Sequence, residues 1–73
     1  MPARLSDIGR GMRALLGRLE KPGKGSHWKC YNAAGKMYPI PAGNGERTEI
    51  SDRYIKGLCK ELGLDEVEFR KHL

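Results

Sequence analysis

The sequence predicts one α+β domain spanning residues 1–73, with helices on one face of a small antiparallel sheet of two or three strands. Three features predict this fold: an apolar stripe of helical period early in the chain, alternating residues around a glycine turn in the middle, and capping residues for two helices at the end. A chain of 73 residues forms only a small core. We therefore expect partners to bind across its surface, because an enclosed ligand pocket needs more protein around it.

The first predicted element is a helix. Its apolar residues recur three or four positions apart and form one stripe, made of Leu5, Ile8, Met12, Leu15, Leu16 and Leu19. Ser6 or Asp7 offers a side-chain oxygen that can cap the first turn. Pro22-Gly23 ends the helix, because the residue before a proline is driven out of the α region.

The middle of the chain predicts a β-hairpin, with strands at 26–32 and 36–41 and a turn at 33–35. Alternation along the first strand places His27, Lys29 and Tyr31 on one face, and Trp28 and Cys30 on the other, which we expect to be the core. In the second strand, Tyr38 and Ile40 share a face, and Pro39 predicts an edge strand because it has no amide hydrogen to donate. Residues 42–49 are glycine-rich and predict a polar loop, with a short extended piece around 47–49.

The last third carries the clearest local signals. Ser51 predicts the start of a helix and Gly63 its end, and Asp65 predicts the start of a short final helix. The longer helix is expected to bury five side chains: Tyr54, Ile55, Leu58, Cys59 and Leu62.

The charge of the chain is uneven. Residues 1–41 carry eight Lys and Arg against two Asp and Glu, whereas residues 42–73 carry six against seven. A basic half is typical of nucleic-acid-binding domains, although it also fits a merely solvated surface. The chain has no apolar run of membrane-spanning length and no signal-peptide core, and its two cysteines are too few for a disulfide framework, so we expect a cytoplasmic protein without a membrane partner.

The segment from Lys24 to Lys29 carries the candidate chemistry. His27 can take and give a proton near neutral pH, and Lys24 and Lys29 can neutralise a phosphate. Gly25 lets the backbone approach a ligand closely, and Ser26 can donate a hydrogen bond to a phosphate oxygen. Tyr31 and Lys36 would extend the contact with a nucleic acid, Tyr31 by stacking on a base. The alternative is an exposed histidine at the start of a strand, with no function.

The sequence predicts no metal site and no small-molecule cofactor. Cys30, Cys59, His27 and His72 lack the paired spacing of a zinc site. Residues 23–26 resemble a phosphate-binding loop in composition but not in the order that such a loop requires.

From about residue 6 to the end, the chain resembles the HicA toxins of bacterial toxin–antitoxin pairs. The resemblance lies in Gly25-Ser26-His27, Gly35-Lys36, Tyr38-Pro39-Ile40-Pro41, Leu62-Gly63-Leu64-Asp65 and Phe69, in this order. It implies a fold similar to double-stranded-RNA-binding domains (α-β-β-(β)-α-α), an mRNA endoribonuclease activity in which His27 is the acid or base, and inhibition by a HicB-like antitoxin protein. The partners implied are therefore mRNA and that antitoxin.

Two positions depart from the pattern of that family. Members place a hydrophobic strand before the Gly-Ser-His motif, but only residues 21–24 separate it here from the predicted first helix, which leaves two or three strands for the sheet. Many members also carry a histidine shortly after Ile-Pro, where this chain has Gly43. Two other functions stay open: a non-catalytic RNA-binding module that reads duplex shape and phosphates, and a domain whose basic face binds only an acidic protein.

Overall fold

The computed structural model describes residues 3–25 and 27–73 and shows the α+β fold that the sequence predicts. The elements are β1 (Ala3–Arg4), α1 (Leu5–Ala14), β2 (Arg18–Glu20), β3 (His27–Tyr31), β4 (Met37–Pro41), a single 3-10 turn (Gly45–Arg47), β5 (Glu49–Ile50), α2 (Asp52–Leu62) and α3 (Glu66–Lys71). Strands β2, β3 and β4 form a three-stranded antiparallel sheet in that order, and β1 pairs with β5 in a separate two-stranded sheet.

The core lies between one face of the three-stranded sheet and the helices. Trp28 and Cys30 of β3 are buried on this face, and their Cα partners include Ile40 of β4 and Leu19 of β2. Side chains of the helices fill the other side of the core: Leu5, Ile8, Met12, Ile55, Leu58, Cys59, Leu62 and Phe69. The predicted alternation of β3 is confirmed, and so is the core position of Trp28.

The first helix ends earlier than the apolar stripe predicts. It stops at Ala14, and Leu16 has a left-handed backbone (φ 67°) and a side chain that is 81% exposed. The turn closes with two hydrogen bonds of a Schellman motif, from the Gly17 amide to the Met12 carbonyl (2.7 Å) and from the Leu16 amide to the Arg13 carbonyl (3.1 Å).

Gly17 explains this early end. A Cβ at Gly17 would overlap the carbonyl oxygen of Tyr31 and lie 2.9 Å from Cε of Met12, so only glycine fits this close approach of the turn to β3. Leu19 then packs on the core from β2 rather than from a helix. The prediction that the helix continues beyond Ala14 is therefore wrong. The segment after the helix instead supplies a third strand, β2, to the sheet.

The helix caps agree with the sequence in three of four places. Ser51 Oγ accepts from the Tyr54 amide at 3.2 Å, Asp65 Oδ1 accepts from the Glu68 amide at 3.1 Å, and Gly63 has a left-handed φ of 66°.

At α1 the helix begins after Arg4, so neither Ser6 nor Asp7 is its N-cap. Asp7 instead accepts a hydrogen bond from the Arg4 backbone amide (3.0 Å), which holds the pKa of its carboxyl below the usual range.

Residues 42–49, which were predicted as a polar loop, contain a 3-10 turn and the first residue of β5. The short extended piece expected there is present as Glu49 of β5, which pairs with Arg4 of β1. The Leu5 amide also donates to the Thr48 carbonyl at 2.9 Å. Within residues 3–25 and 27–73, no helix is long and apolar enough to cross a membrane.

Candidate nucleic-acid interface

The second face of the three-stranded sheet is open to solvent, and we call it the open sheet face. It is formed by Arg18 and Glu20 of β2, His27, Lys29 and Tyr31 of β3, and Met37, Pro39 and Pro41 of β4. All of these are exposed except Tyr31, which is half-buried. The pairing register arranges them in three rows across the sheet: Arg18–Tyr31–Met37, then Glu20–Lys29–Pro39, then His27–Pro41.

His27 lies at one end of this face, as the first residue of β3. Its Cα partner is Pro41, which carries no group that competes for a proton. Lys29 lies two residues along the same face, about 7 Å away between Cα atoms. Lys24 lies in the connection that leads into β3 and is exposed. Its Cα atom is at most about 11 Å from that of His27, because the two residues are three steps apart along the chain. His27 and Lys29 thus share the open sheet face in neighbouring rows, and Lys24 lies three residues before His27 along the chain.

Gly25 has the backbone that a close approach requires. Its φ is +81°, a left-handed value that other residues rarely adopt, and the described atoms leave open space around its Cβ position. A ligand can therefore reach the main chain just before β3. Ser26 lies outside the described residues, so its contact with a phosphate stays a prediction.

Glu20 brings a carboxylate to the middle row. It faces Lys29 across the β2–β3 pair, where the Cβ atoms of paired residues lie about 5 Å apart. Arg18 Nε already donates to Glu20 Oε2 at 2.6 Å. Because Arg18 neutralises the charge of Glu20, the Lys29 ammonium can still attract an external anion.

Tyr31 is less accessible than the sequence suggests. The Arg18 guanidinium carbon lies 4.1 Å from the centre of its ring, a cation–π contact that covers one ring face. A base can stack directly on that face only if Arg18 moves aside.

Lys36 is not brought together with His27. It follows the β3–β4 turn, at the far end of the hairpin, roughly 16 Å away along the strand. Its Nζ lies 3.9 Å from Glu61 Oε1 of α2. Lys36 therefore belongs to the helix side of the turn rather than to the His27 end.

Arg18 and Glu20 are site residues that sequence reasoning misses. They fall in the segment predicted as helix, whereas the structure places them on β2 beside Tyr31 and Lys29. One signal was present: after Gly17 the chain reads charged, apolar, charged through Arg18, Leu19 and Glu20, which is the period of a half-buried strand.

Four other titratable side chains lie outside the open sheet face: His72 follows α3, and burial favours the protonated form of Cys30, Cys59 and Tyr54. His72 follows α3, with Nε2 3.6 Å from Glu68 Oε1. Burial raises the pKa of the Cys30 thiol to about 12 and that of Cys59 to about 11, so neither is an activated nucleophile. Burial also raises the pKa of Tyr54, whose hydroxyl donates to the Pro39 carbonyl.

Among the described residues, no cluster of three or more His, Cys, Asp or Glu could hold a metal ion.

Compared with protein-family models and with curated proteins, the chain matches none. The residues of the open sheet face and the order of motifs along the sequence are therefore what indicates a function for this chain.

Proposed function

We propose that this protein is an mRNA endoribonuclease of the HicA type, the toxin of a toxin–antitoxin pair, acting through His27. The observation that carries the proposal is the position of His27 and Lys29 on one solvent-open face, with Lys24 in the connection beside them. An RNA strand lying across this face would meet a proton acceptor and two cations together. The resemblance in the Gly-Ser-His and Ile-Pro motifs supports the same function.

The reaction would be attack of a ribose 2′-oxygen on the adjacent phosphorus. His27 would take the 2′-hydroxyl proton, the P–O5′ bond would break, and the products would be a 2′,3′-cyclic phosphate and a 5′-hydroxyl. The leaving 5′-oxygen takes a proton from a second carrier, for which Tyr31, a lysine, water or a group on the RNA are the candidates.

Lys24 and Lys29 would stabilise the charge that gathers on the phosphate in the transition state. Lys29 is the better placed of the two, since its position on β3 is fixed by backbone pairing to both neighbouring strands. Gly25 would contribute its amide, and Ser26 its hydroxyl.

The cellular context follows from the substrate. A toxin that cleaves mRNA would act in the cytoplasm, and its antitoxin would have to be present there. A HicB-like antitoxin would neutralise it by covering the open sheet face, and a surface with carboxylates facing Lys24 and Lys29 would complement the charge.

The test is cleavage of one RNA by three purified proteins: the wild type, His27→Ala and His72→Ala. His72 is the matched control, because it is the other histidine of the chain and lies beyond α3. We expect the wild type and His72→Ala to cleave alike, and His27→Ala to be slower by about 100-fold or more, the usual contribution of a general acid or base.

Expression of the wild type alone should arrest bacterial growth, whereas His27→Ala should accumulate as folded protein. Equal cleavage by all three proteins would contradict the role of His27.

A second candidate is an RNA-binding module without catalysis. The observation that favours it is that, among the described residues, His27 is the one histidine on the open sheet face, and Gly43 stands where many HicA proteins carry another. In that case the wild type and His27→Ala would bind RNA equally and neither would cleave it. Duplex RNA would then be bound at least as tightly as a single strand.

A further inference from the structure

The row Arg18–Tyr31–Met37 has a composition unlike the rest of the open sheet face. It holds an aromatic ring, a guanidinium and an exposed thioether side chain, whereas the other two rows hold a carboxylate, an ammonium, an imidazole and two prolines. Sequence reasoning gave only Tyr31 a role here, as a stacking residue. The structure places Arg18 directly on that ring.

Arg18 is held in a fixed orientation by two contacts. Its guanidinium carbon lies 4.1 Å from the centre of the Tyr31 ring, and its Nε donates to Glu20 Oε2 at 2.6 Å. Both partners sit on paired strands, so the arrangement is set by the sheet register. More than half of the Arg18 side chain (56%) is nevertheless exposed. The Arg18 side chain thus lies against the Tyr31 ring and still has most of its surface open to solvent.

An ordered, exposed guanidinium plane is a surface on which nucleobases stack. Proteins that recognise single-stranded RNA stack its splayed bases on aromatic rings or on arginine planes. In a duplex, the base faces are already stacked on one another and cannot reach such a plane. The terminal nitrogens of Arg18, which the bond to Glu20 leaves unused, can also donate to a phosphate or a base edge.

We propose that Arg18, supported by Tyr31 and oriented by Glu20, is a base-stacking platform that makes unpaired RNA the substrate class of this site. This inference rests on the proposed function and assigns a residue to it that sequence reasoning did not. The platform lies about 13 Å along β3 from His27. An RNA strand following β3 reaches the platform with one base while another nucleotide lies at His27.

The test measures binding rather than cleavage, in a His27→Ala background so that the RNA stays intact. The probes are a short fluorescent oligoadenylate, the same oligomer with abasic riboses, and the oligoadenylate–oligouridylate duplex. The variant is Arg18→Lys, which keeps the charge and removes the plane. Arg47→Lys is the matched control, since Arg47 is an exposed arginine in the 3-10 turn that packs against α1.

We expect Arg18→Lys to weaken binding of the oligoadenylate by about tenfold, within the range measured for one base–aromatic stack. It should change binding of the abasic oligomer and the duplex by less than about twofold, and Arg47→Lys should change none of the three. Glu20→Gln, which keeps the shape but loses the carboxylate that orients Arg18, should give an intermediate loss for the oligoadenylate alone.

Two results would overturn the inference and leave the proposed function intact. One is an equal loss for base-bearing and abasic oligomers, which would make Arg18 a phosphate contact or a purely structural residue. The other is tighter binding of the duplex than of the single strand. Failure of the parent protein to bind any of the three probes would overturn the proposed function itself.

Discussion

The side-chain amide of Asn32 ties the β3–β4 turn to the end of α2 by donating from Nδ2 to the carbonyl of Leu62 at 2.9 Å. Its Oδ1 accepts from the Lys36 amide at 2.8 Å, and its backbone amide donates to the Lys36 carbonyl at 2.9 Å. The last carbonyls of a helix have no partner within the helix. Asn32, the residue directly after β3, supplies one, and it thereby fixes the hairpin against the helix layer.

We expect Asn32→Ala to lower the free energy of unfolding by about 1–3 kcal/mol, because it leaves the Leu62 carbonyl and the Lys36 amide without these partners. Urea unfolding followed by circular dichroism measures the change. Asn44→Ala is the control, since Asn44 is exposed in the segment after β4, and it should change stability by less than about 0.5 kcal/mol. Equal effects of the two substitutions would show that the Asn32 side chain does not couple the layers.

Leu16 and Leu58 both lie on apolar helix faces in the sequence-based prediction, but their truncation should have very different effects on stability. Leu58 is fully buried and Leu16 is 81% exposed with a positive φ. Leu58→Ala should cost about 2–5 kcal/mol, enough to unfold much of so small a domain. Leu16→Ala should change stability by at most about 0.5 kcal/mol, whereas Leu16→Gly should stabilise the protein slightly, since glycine adopts the left-handed region freely. A large loss for Leu16→Ala in a thermal melt would mean that α1 continues through this residue.

The two thiols should be protected and should couple stability to alkaline pH. Burial raises the pKa of Cys30 to about 12 and that of Cys59 to about 11, so the folded protein keeps protons that the unfolded chain loses above about pH 8.5. The thiol contribution to stability is therefore complete below pH 8.5 and declines as the pH rises above it. A chromogenic disulfide at pH 8 should titrate both thiols in denaturant and neither in the native protein. Rapid reaction of the native protein would show that these cysteines are accessible.

Gly43→His should fold like the wild type and cleave RNA faster. Gly43 is exposed, its Cβ position meets none of the described atoms within 4 Å, and it lies two residues beyond Pro41, the Cα partner of His27. A histidine there could act as the second proton carrier, which we expect to raise the rate by about 100-fold. Gly23→His, at another exposed glycine with open space, is the control and should leave the rate unchanged. An unchanged rate in Gly43→His would show that position 43 does not limit activity.

RNA binding should weaken steeply with salt. Neutralisation of about four phosphates gives a log–log slope near −3. Lys24→Glu and Lys29→Glu should each weaken binding and reduce the slope by about one without unfolding the protein, whereas Lys60→Glu on α2 should do neither. Affinity that is the same at low and high salt would contradict nucleic-acid binding by this basic half.

Much of the fold follows from local sequence signals. The alternation of 27–31 is confirmed as a strand with a buried and an open face, and Ser51, Gly63 and Asp65 mark helix ends where the structure has them. These features could be predicted because the free energy that sets them, from a cap or from burial of one face, depends on neighbours a few residues away.

The end of α1 could not be predicted in the same way. Leu16 and Leu19 continue the helical spacing, but the structure turns the chain at Gly17 and gives Leu19 to β2. The deciding contact joins Gly17 to Tyr31, which lies fourteen residues further along the chain. No local period contains that contact. Of the two or three strands expected, the structure has three, and β2 is the strand before His27 that the helical spacing concealed.

By itself, the sequence determined the α+β class, the order of the helices and the hairpin, and the side of β3 on which His27, Lys29 and Tyr31 lie, because the strand period alone separates inward from outward residues. Only the tertiary structure decided which charges share that face. Strand pairing brings Arg18 onto Tyr31 and Glu20 opposite Lys29, whereas the turn after β3 carries Lys36 to Glu61 on the helix side. The physical reason is that register is a cooperative property of two distant segments, fixed by burying Leu19 against Cys30 and not by any residue acting alone.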